Sequence, residues 1–175
     1  MASRLTAATE TWRRHPFVAG LAADQLAVLT SLAMPVQFDA GQLIFREGEP
    51  ANRFYLILGG SVALQTRSPE DIATCVATVG AGEVLGWSWL FPPYTWHFDA
   101  VAVKATEAIF FYGTWLRHLA EENHELGYEL MKRMAQVLIQ RLQAARRQCQ
   151  TTAAPALPSP KPRRKAPTPR RNRER

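Results

Sequence analysis

From Pro35 to Tyr112 the apolar residues come in short runs, each cut off by turn-forming residues, and this texture constrains the fold more than any other feature of the chain. The runs read VQF, LIF, FYLIL, SVALQT and ATCVATV, then, beyond an aromatic stretch, HFDAVAVKAT and EAIFFY. Gly41, Gly48, the Gly59-Gly60 pair, Ser68-Pro69 and Gly80 mark the expected turns. Strand-length runs at such intervals predict an all-β sandwich or barrel. Helical spacing brackets them. Leu21, Leu26, Leu29 and Leu32, with Asp24 in the first turn and Pro35 behind, predict a short amphipathic helix over about 20–33, led in by His15-Pro16-Phe17. After the last strand, Gly113 is expected to stop the sheet, Thr114 to cap the helix TWLRHLAEE, and Asn123 to cap a longer one. The expected fold is mainly β with flanking helices and a long C-terminal helix.

Between the strand blocks lies Gly82–Asp99, GEVLGWSWLFPPYTWHFD, which places Trp87, Trp89, Phe91, Tyr94, Trp96 and Phe98 beside a Pro92-Pro93 pair. Aromatic rings bury large areas and are seldom left together in water. The stretch therefore covers a core or lines a cavity. Either the rings fill a barrel mouth without a ligand, or they surround one.

The charge is distributed unevenly. From Pro155 onward eight basic residues face Glu174 alone, a net of +7, which leaves −1 for the remainder of a chain whose total is +6. Pro-rich sequence prevents helix and strand, so 151–175 is expected to be a disordered basic tail. Residues 1–14 read as an N-terminal extension and 15–150 as the domain with its C-terminal helix, a body long enough to bury a stable core. The opening MASRLTAATETWRR has the texture of a transit peptide, but Glu10 and the helical pattern behind it argue against one. Cys75 and Cys149 form no C-x-x-C pair and follow no secretory leader, which fits a reducing, cytoplasmic setting. No apolar run approaches the roughly 18–20 residues of a membrane span.

Chemistry-bearing motifs are sparse. No nucleophile elbow, H-E-x-x-H or Walker loop occurs, so an enzyme is not expected. Cys75 and His97 are too few for a metal centre, and His97 reads as a strand residue. The long helix carries Leu126, Leu130, Met131, Met134, Val137, Leu138 and Leu142 on one stripe. Its first two turns are expected to pack on the domain. The stripe continues past the body, which predicts a homodimer through Leu130, Met134, Val137, Leu138 and Leu142. Residues 155–175 read either as an electrostatic arm for nucleic acid or an acidic protein partner, or as a solubilising tail.

The segment FDAGQLIFREGEPANRFYLILGGSVAL resembles the first half of the cyclic nucleotide-binding domain of the catabolite activator protein family. The matching residues are Gly41, Ile44, Glu47, Gly48, Phe54, Tyr55, Ile57 and Gly60, with Gly82 and Gly86 entering the phosphate cassette. The similarity runs from about His15 to Gln148. It implies a β-jelly-roll in which glycines and a helical turn present backbone N–H groups to a cyclic nucleotide phosphate. In members that bind cyclic AMP, an acid after the second glycine holds the ribose and an arginine further along pairs with the phosphate. Here Trp87 stands at the first position, and the second falls near Asp99, with Thr95 and Val101 beside it. No arginine lies between Arg67 and Arg117, an aspartate there is expected to repel phosphate, and Lys104 could substitute only by pointing inward.

The resemblance therefore implies a stand-alone module without the helix-turn-helix domain of the family's regulators, whose ligand residues are Gly86, Trp87, Ser88, Trp89, Thr95 and Asp99. Two functions follow. One is a non-enzymatic signal sensor with altered or lost cyclic nucleotide specificity, taking a cyclic nucleotide or another small effector. The other is an interaction or scaffold module with a degenerate cassette.

Overall fold

The computed structural model describes residues 12–68 and 72–152. The first predicted helix is α1, Ala23–Leu32, with the Ala22 N–H ahead of it donating to Gln25 Oε1 at 3.2 Å. Six strands follow: β1 Met34–Phe38, β2 Leu43–Phe45, β3 Arg53–Arg67, β4 Ala73–Gly80, β5 Val84–Leu85 and β6 Asp99–Tyr112. Helices α2, Gly113–Glu122, and α3, His124–Thr152, complete the described chain. The sheet runs β1-β6-β3-β4 with β2 added to β6 and β5 to β3, every pairing antiparallel. The architecture is the expected one, mainly β with flanking helices.

Two pairs of predicted strands are each a single strand. FYLIL and SVALQT join as β3, and HFDAVAVKAT and EAIFFY join as β6, which begins only at Asp99. His97 is therefore not a strand residue; it lies in the bend before β6. The Gly59-Gly60 pair does not turn the chain back. β3 and β6 stay paired from Arg53↔Tyr112 to Gln65↔Asp99, with the register shifting between Ile57 and Val62. Gly60 has φ +90°, and a methyl there would sit 2.6 Å from Thr106 Cα. Such a close backbone approach marks a kink rather than a hairpin. Thr106 Oγ1 spans it, accepting from Ser61 N at 3.2 Å and donating to Lys104 O at 2.8 Å. The Ser68 turn is closed by Ser68 N donating to Ile72 O at 3.1 Å, while Pro69 lies outside the described residues.

Alternation along β3 explains why both faces of the sheet are buried. Phe54 and Leu56 face a core made with the helices, among Trp12, Phe17, Leu29, Phe111, Leu116, Leu126 and Met134. Tyr55 and Ile57 face the other core, among Phe38, Phe45, Val62, Leu85, Trp96 and Ala108. Trp12 is 1% exposed and meets Phe111 edge-on at 6.0 Å, so the body reaches back into the segment expected to be an extension. The rest of the expected extension, 1–11, lies outside the described residues.

His15 fixes this N-terminal segment to the sheet. Its Nδ1 accepts from Phe17 N at 3.1 Å, and its Nε2 lies 3.2 Å from Glu83 O, an arrangement suited to the neutral ring protonated at Nε2. Burial holds its pKa below 6.5 despite the opposing pull of the Glu83 and Ile57 carbonyls. The unfolded chain therefore binds the proton more readily. Stability from this contact is complete above pH 6.5 and declines as pH falls through the folded-state value. Thermal melts from pH 8 to 5 are expected to show an acid-side decline that His15→Gln, which can donate and accept while staying neutral, flattens. An identical decline in the variant contradicts this role.

The helix starts divide. Asn123 caps α3 as expected, its Oδ1 accepting from Leu126 N at 3.0 Å. Thr114 does not cap α2: the helix begins one residue earlier, with Gly113 N donating to Asn52 O at 2.7 Å and Tyr112 in the cap position. On α3, Leu126, Leu130 and Met134 are buried in the chain's own core and Val137 packs against it. Leu130 and Met134 are therefore not available to a dimer seam, because a four-residue step keeps them on the domain side for three turns rather than two. Arg133 Nη1 secures that side, donating to Phe17 O at 2.9 Å and Ala19 O at 2.8 Å.

Compact packing groups Met1–Ile139 as one unit and Gln140–Arg175 as another, a division that falls inside α3. The predicted disordered tail, 151–175, lies outside the residues whose side chains are described. Among the described residues no helix is long and apolar enough to cross a membrane, and Cys75 and Cys149 are exposed free thiols.

Candidate functional site

The cassette starts from β5, whose Val84 and Leu85 are buried against β3. Gly86 then takes the left-handed conformation, φ +85°, and opens a single 3-10 turn, Trp87–Leu90. A side chain at Gly86 would meet Arg53 O at 2.9 Å and the ring of Trp96 at 3.0 Å. Both the dihedral and the crowding exclude other residues there. Within the turn, Ser88 Oγ and His97 Nδ1 are hydrogen-bonded at 3.1 Å, and the Trp87 ring lies parallel to the His97 ring with centroids 5.7 Å apart. Trp89 turns the other way, 1% exposed beside Phe54 in the helix-side core, and its carbonyl accepts from Arg117 Nη1 of α2.

The chain then passes the cis Pro92–Pro93 bond to Tyr94, φ +58°, whose ring lies 4.3 Å from the Arg117 guanidinium carbon. The return arm is zipped to the loop between β2 and β3. Ala51 N donates to Tyr94 O at 2.7 Å, Trp96 N to Glu49 O at 2.9 Å and Gly48 N to Trp96 O at 2.8 Å. In an extended arm alternate side chains point to opposite sides. The arm therefore sends Trp96 inward while the exposed His97 stays at the turn. Trp96 is 2% exposed and stacks on Phe45 at 3.9 Å with 14° between the rings, its far edge against Gly86. The Trp89 and Trp96 indole N–H groups have no hydrogen-bond partner among the described residues, so packing rather than polar contact holds both rings.

Asp99 ends the arm and is not a bare anion aimed at the cassette. Its Oδ2 lies 2.8 Å from Arg67 Nε on β3, and its Oδ1 accepts from Glu47 N at 2.8 Å. Burial alone would raise its pKa, but the Arg67 hydrogen bond and charge, with the Glu47 N–H, outweigh it and hold the carboxyl below its usual value. The expected repulsion of phosphate by Asp99 is thus answered by a guanidinium from the neighbouring strand. Lys104 is exposed and does not supply an inward cation. Arg117, which does reach the cassette, engages the Trp89 carbonyl and the Tyr94 ring.

Of the residues expected to bind ligand, Gly86, Trp87 and Ser88 are brought together at the turn. Trp89 is directed into the core, Thr95 is half-buried in a backbone bridge to Pro50, and Asp99 serves the ion pair. Sequence reasoning missed Trp96, Phe45, His97 and Arg117 as parts of the site. The alternation Thr95-Trp96-His97 carried a signal for the first and third; nothing local pointed to Phe45 or Arg117.

The family model for the cyclic nucleotide-binding domain matches residues 35–123. The chain is 27% identical over 119 residues to a CRP-like cAMP-activated global transcriptional regulator of Mycobacterium tuberculosis, covering 68% of this chain and 53% of the regulator's length. Among solved structures, a candidate cyclic nucleotide-binding protein of Geobacter metallireducens GS-15 superposes with a TM-score of 0.68 at 31% identity, covering 77% of this chain and 97% of that one. A cyclic nucleotide-binding domain from Methylobacillus flagellatus KT shares the fold with a TM-score of 0.71 at 19% identity, covering 89% and 87%. The family match spans more than half the chain and includes the strands and the cassette just described; the chain belongs to the cyclic nucleotide-binding domain family.

Proposed function

We propose that this chain is a non-enzymatic, cytoplasmic signal-sensing module whose cassette has altered or lost the cyclic nucleotide specificity of its family. One observation carries the reading: the buried ring of Trp96 packs against Gly86, its edge 3.0 Å from where a side chain there would begin. The electrostatics agree. Trp87 stands where the family has its ribose-binding acid, and the arginine position falls near Asp99, already paired with Arg67, with Thr95 and Val101 as neighbours. A hydrogen bond to a charged group contributes roughly 1.5–3 kcal/mol, so the missing guanidinium alone weakens phosphate binding by more than tenfold.

Calorimetric titration tests this. Cyclic AMP, cyclic GMP and cyclic dinucleotides are expected to give neither heat nor a thermal shift below millimolar concentration, whereas micromolar affinity for any of them contradicts the reading. A planar, uncharged effector that raises the melting temperature supports sensing. The stacking of Trp96 on Phe45, which stabilises the fold without a ligand, favours as second reading an interaction or scaffold module, supported if no effector shifts the melt.

The module is proposed to act as a homodimer through a different seam from the one first expected. Tyr128, Met131, Ala135, Leu138, Leu142, Ala145 and Cys149 alternate by three and four, the spacing of a coiled-coil seam. Tyr128 and Leu142 are 67% and 71% exposed. Leu138 and Val137 are half-buried, and Val137 belongs with the domain side. Leu142→Glu is expected to convert dimers to monomers in sedimentation; an unchanged mass refutes the seam. Residues 155–175 are proposed to contact nucleic acid or an acidic protein partner.

A further inference from the structure

Between the start of α1 and the start of α3 lies an open hollow of about 460 Å³, lined by Gln25, His124, Glu125, Tyr128 and Glu129. Gln25 is 8% exposed, and only its oxygen is engaged, accepting from Ala22 N at 3.2 Å. Its amide nitrogen has no hydrogen-bond partner among the described residues, although the side chain lines the hollow. A buried donor is seldom left without an acceptor. The hollow therefore suits an occupant that brings one.

Charge defines the occupant further. Glu121, Glu122, Glu125 and Glu129 fall within nine residues at the α2–α3 corner, and Asp24 precedes Gln25 on α1. Glu121 and Glu122 stand in the last turn of α2, which has no basic residue there. Acids at the negative pole of a helix cost it stability, so helix formation does not account for them. Glu122 is paired with His118, and Glu129 with Lys132 and Arg133. Glu125 is exposed and makes no ion pair among the described residues. Tyr128, one turn on along the same face, is 67% exposed, and Lys132 Nζ lies 5.4 Å from its ring centroid, so the ring already meets a cation. No group of three His, Cys, Asp or Glu side chains among the described residues converges as metal ligands, so the unpaired carboxylate suits an organic cation.

We infer that this hollow docks a basic segment of a partner protein. An Arg or Lys side chain of the segment lays its apolar stem on Tyr128 and its cation on Glu125, while a backbone carbonyl of the segment accepts from Gln25 Nε2. A free polyamine matches the acids but brings no acceptor for Gln25, and the acids repel a nucleic acid. The site lies outside the cassette and owes nothing to its ligand.

The test is fluorescence anisotropy of the full chain with a labelled, end-capped Gly/Ser peptide carrying one Arg-Arg pair. Saturable binding is expected at low salt, weakening as salt screens the contact. Glu125→Gln should reduce affinity about fivefold, and Glu125→Lys should abolish binding. Glu107→Gln removes the same charge from the sheet and should leave affinity unchanged; an equal loss there would reflect attraction to the whole body and overturn the site. Agmatine carries the same two positive charges without a peptide carbonyl, and should compete about tenfold more weakly than the unlabelled peptide. Equal competition overturns the part assigned to Gln25. Absence of saturation, or unchanged affinity in both Glu125 variants, overturns the proposal. Unchanged thermal melts in the variants separate lost binding from unfolding. Every variant keeps Tyr128, the first residue of the proposed seam, so failure here and failure of the seam are distinguishable.

Discussion

Trp96→Ala is expected to destabilise the domain by about 3–5 kcal/mol, a fall in melting temperature on the order of 10 °C. The ring is 2% exposed, stacked on Phe45 and in contact with Gly86, so its removal deletes a large buried area and leaves a void that the zipped arm holds open. The backbone bonds to Gly48 and Glu49 do not involve the side chain and should persist, confining the damage to the barrel mouth. Trp96→Phe separates the contributions. It keeps an aromatic ring to stack on Phe45 and loses the indole N–H, which has no partner among the described residues, with part of the fused ring, so it leaves a smaller void and should cost less than the alanine variant. A wild-type melt for Trp96→Ala would mean that the ring does not fill the cassette.

Gly60→Ala should cost about 2–5 kcal/mol in urea unfolding. A left-handed dihedral costs an L-residue roughly 1–2 kcal/mol, and forcing a methyl against backbone adds roughly 1–3. Both apply at φ +90° with Thr106 Cα 2.6 Å away. Gly59→Ala is the control, since nothing lies within 4 Å of its added methyl and its φ is not left-handed. There the smaller entropy of the unfolded chain should leave stability unchanged or raised by about 0.4–1 kcal/mol. Equal losses at the two positions would contradict the kink.

That contrast also shows what the sequence could convey. Two glycines between apolar runs announce a break in regular structure, and there is one. They do not say whether the chain reverses or bends, because the answer depends on Thr106, more than forty residues away. The mainly β fold, the first helix and the Asn123 cap were legible because each rests on local spacing. On α3 the apolar residues were legible but their division was not. Leu126, Leu130 and Met134 follow a four-residue step into the core, and Met131, Leu138 and Leu142 belong to a second stripe; a single-stripe reading merges the two. At the cassette, the glycines and the absent arginine were visible, and so was the crowd of rings. Which ring fills the mouth was set by backbone pairing with Gly48–Ala51, and the partner of Asp99 by the β3–β6 register, neither of which is a local property.

The most direct test of a cassette filled by its own tryptophan is the indole N–H region of a nitrogen-15 spectrum, with Trp96 assigned by its Phe variant and cyclic AMP added stepwise. The Trp96 resonance is expected to stay in place up to millimolar nucleotide. A shift of that resonance that saturates at micromolar cyclic AMP would show the ring giving way to the family's ligand and would contradict the account.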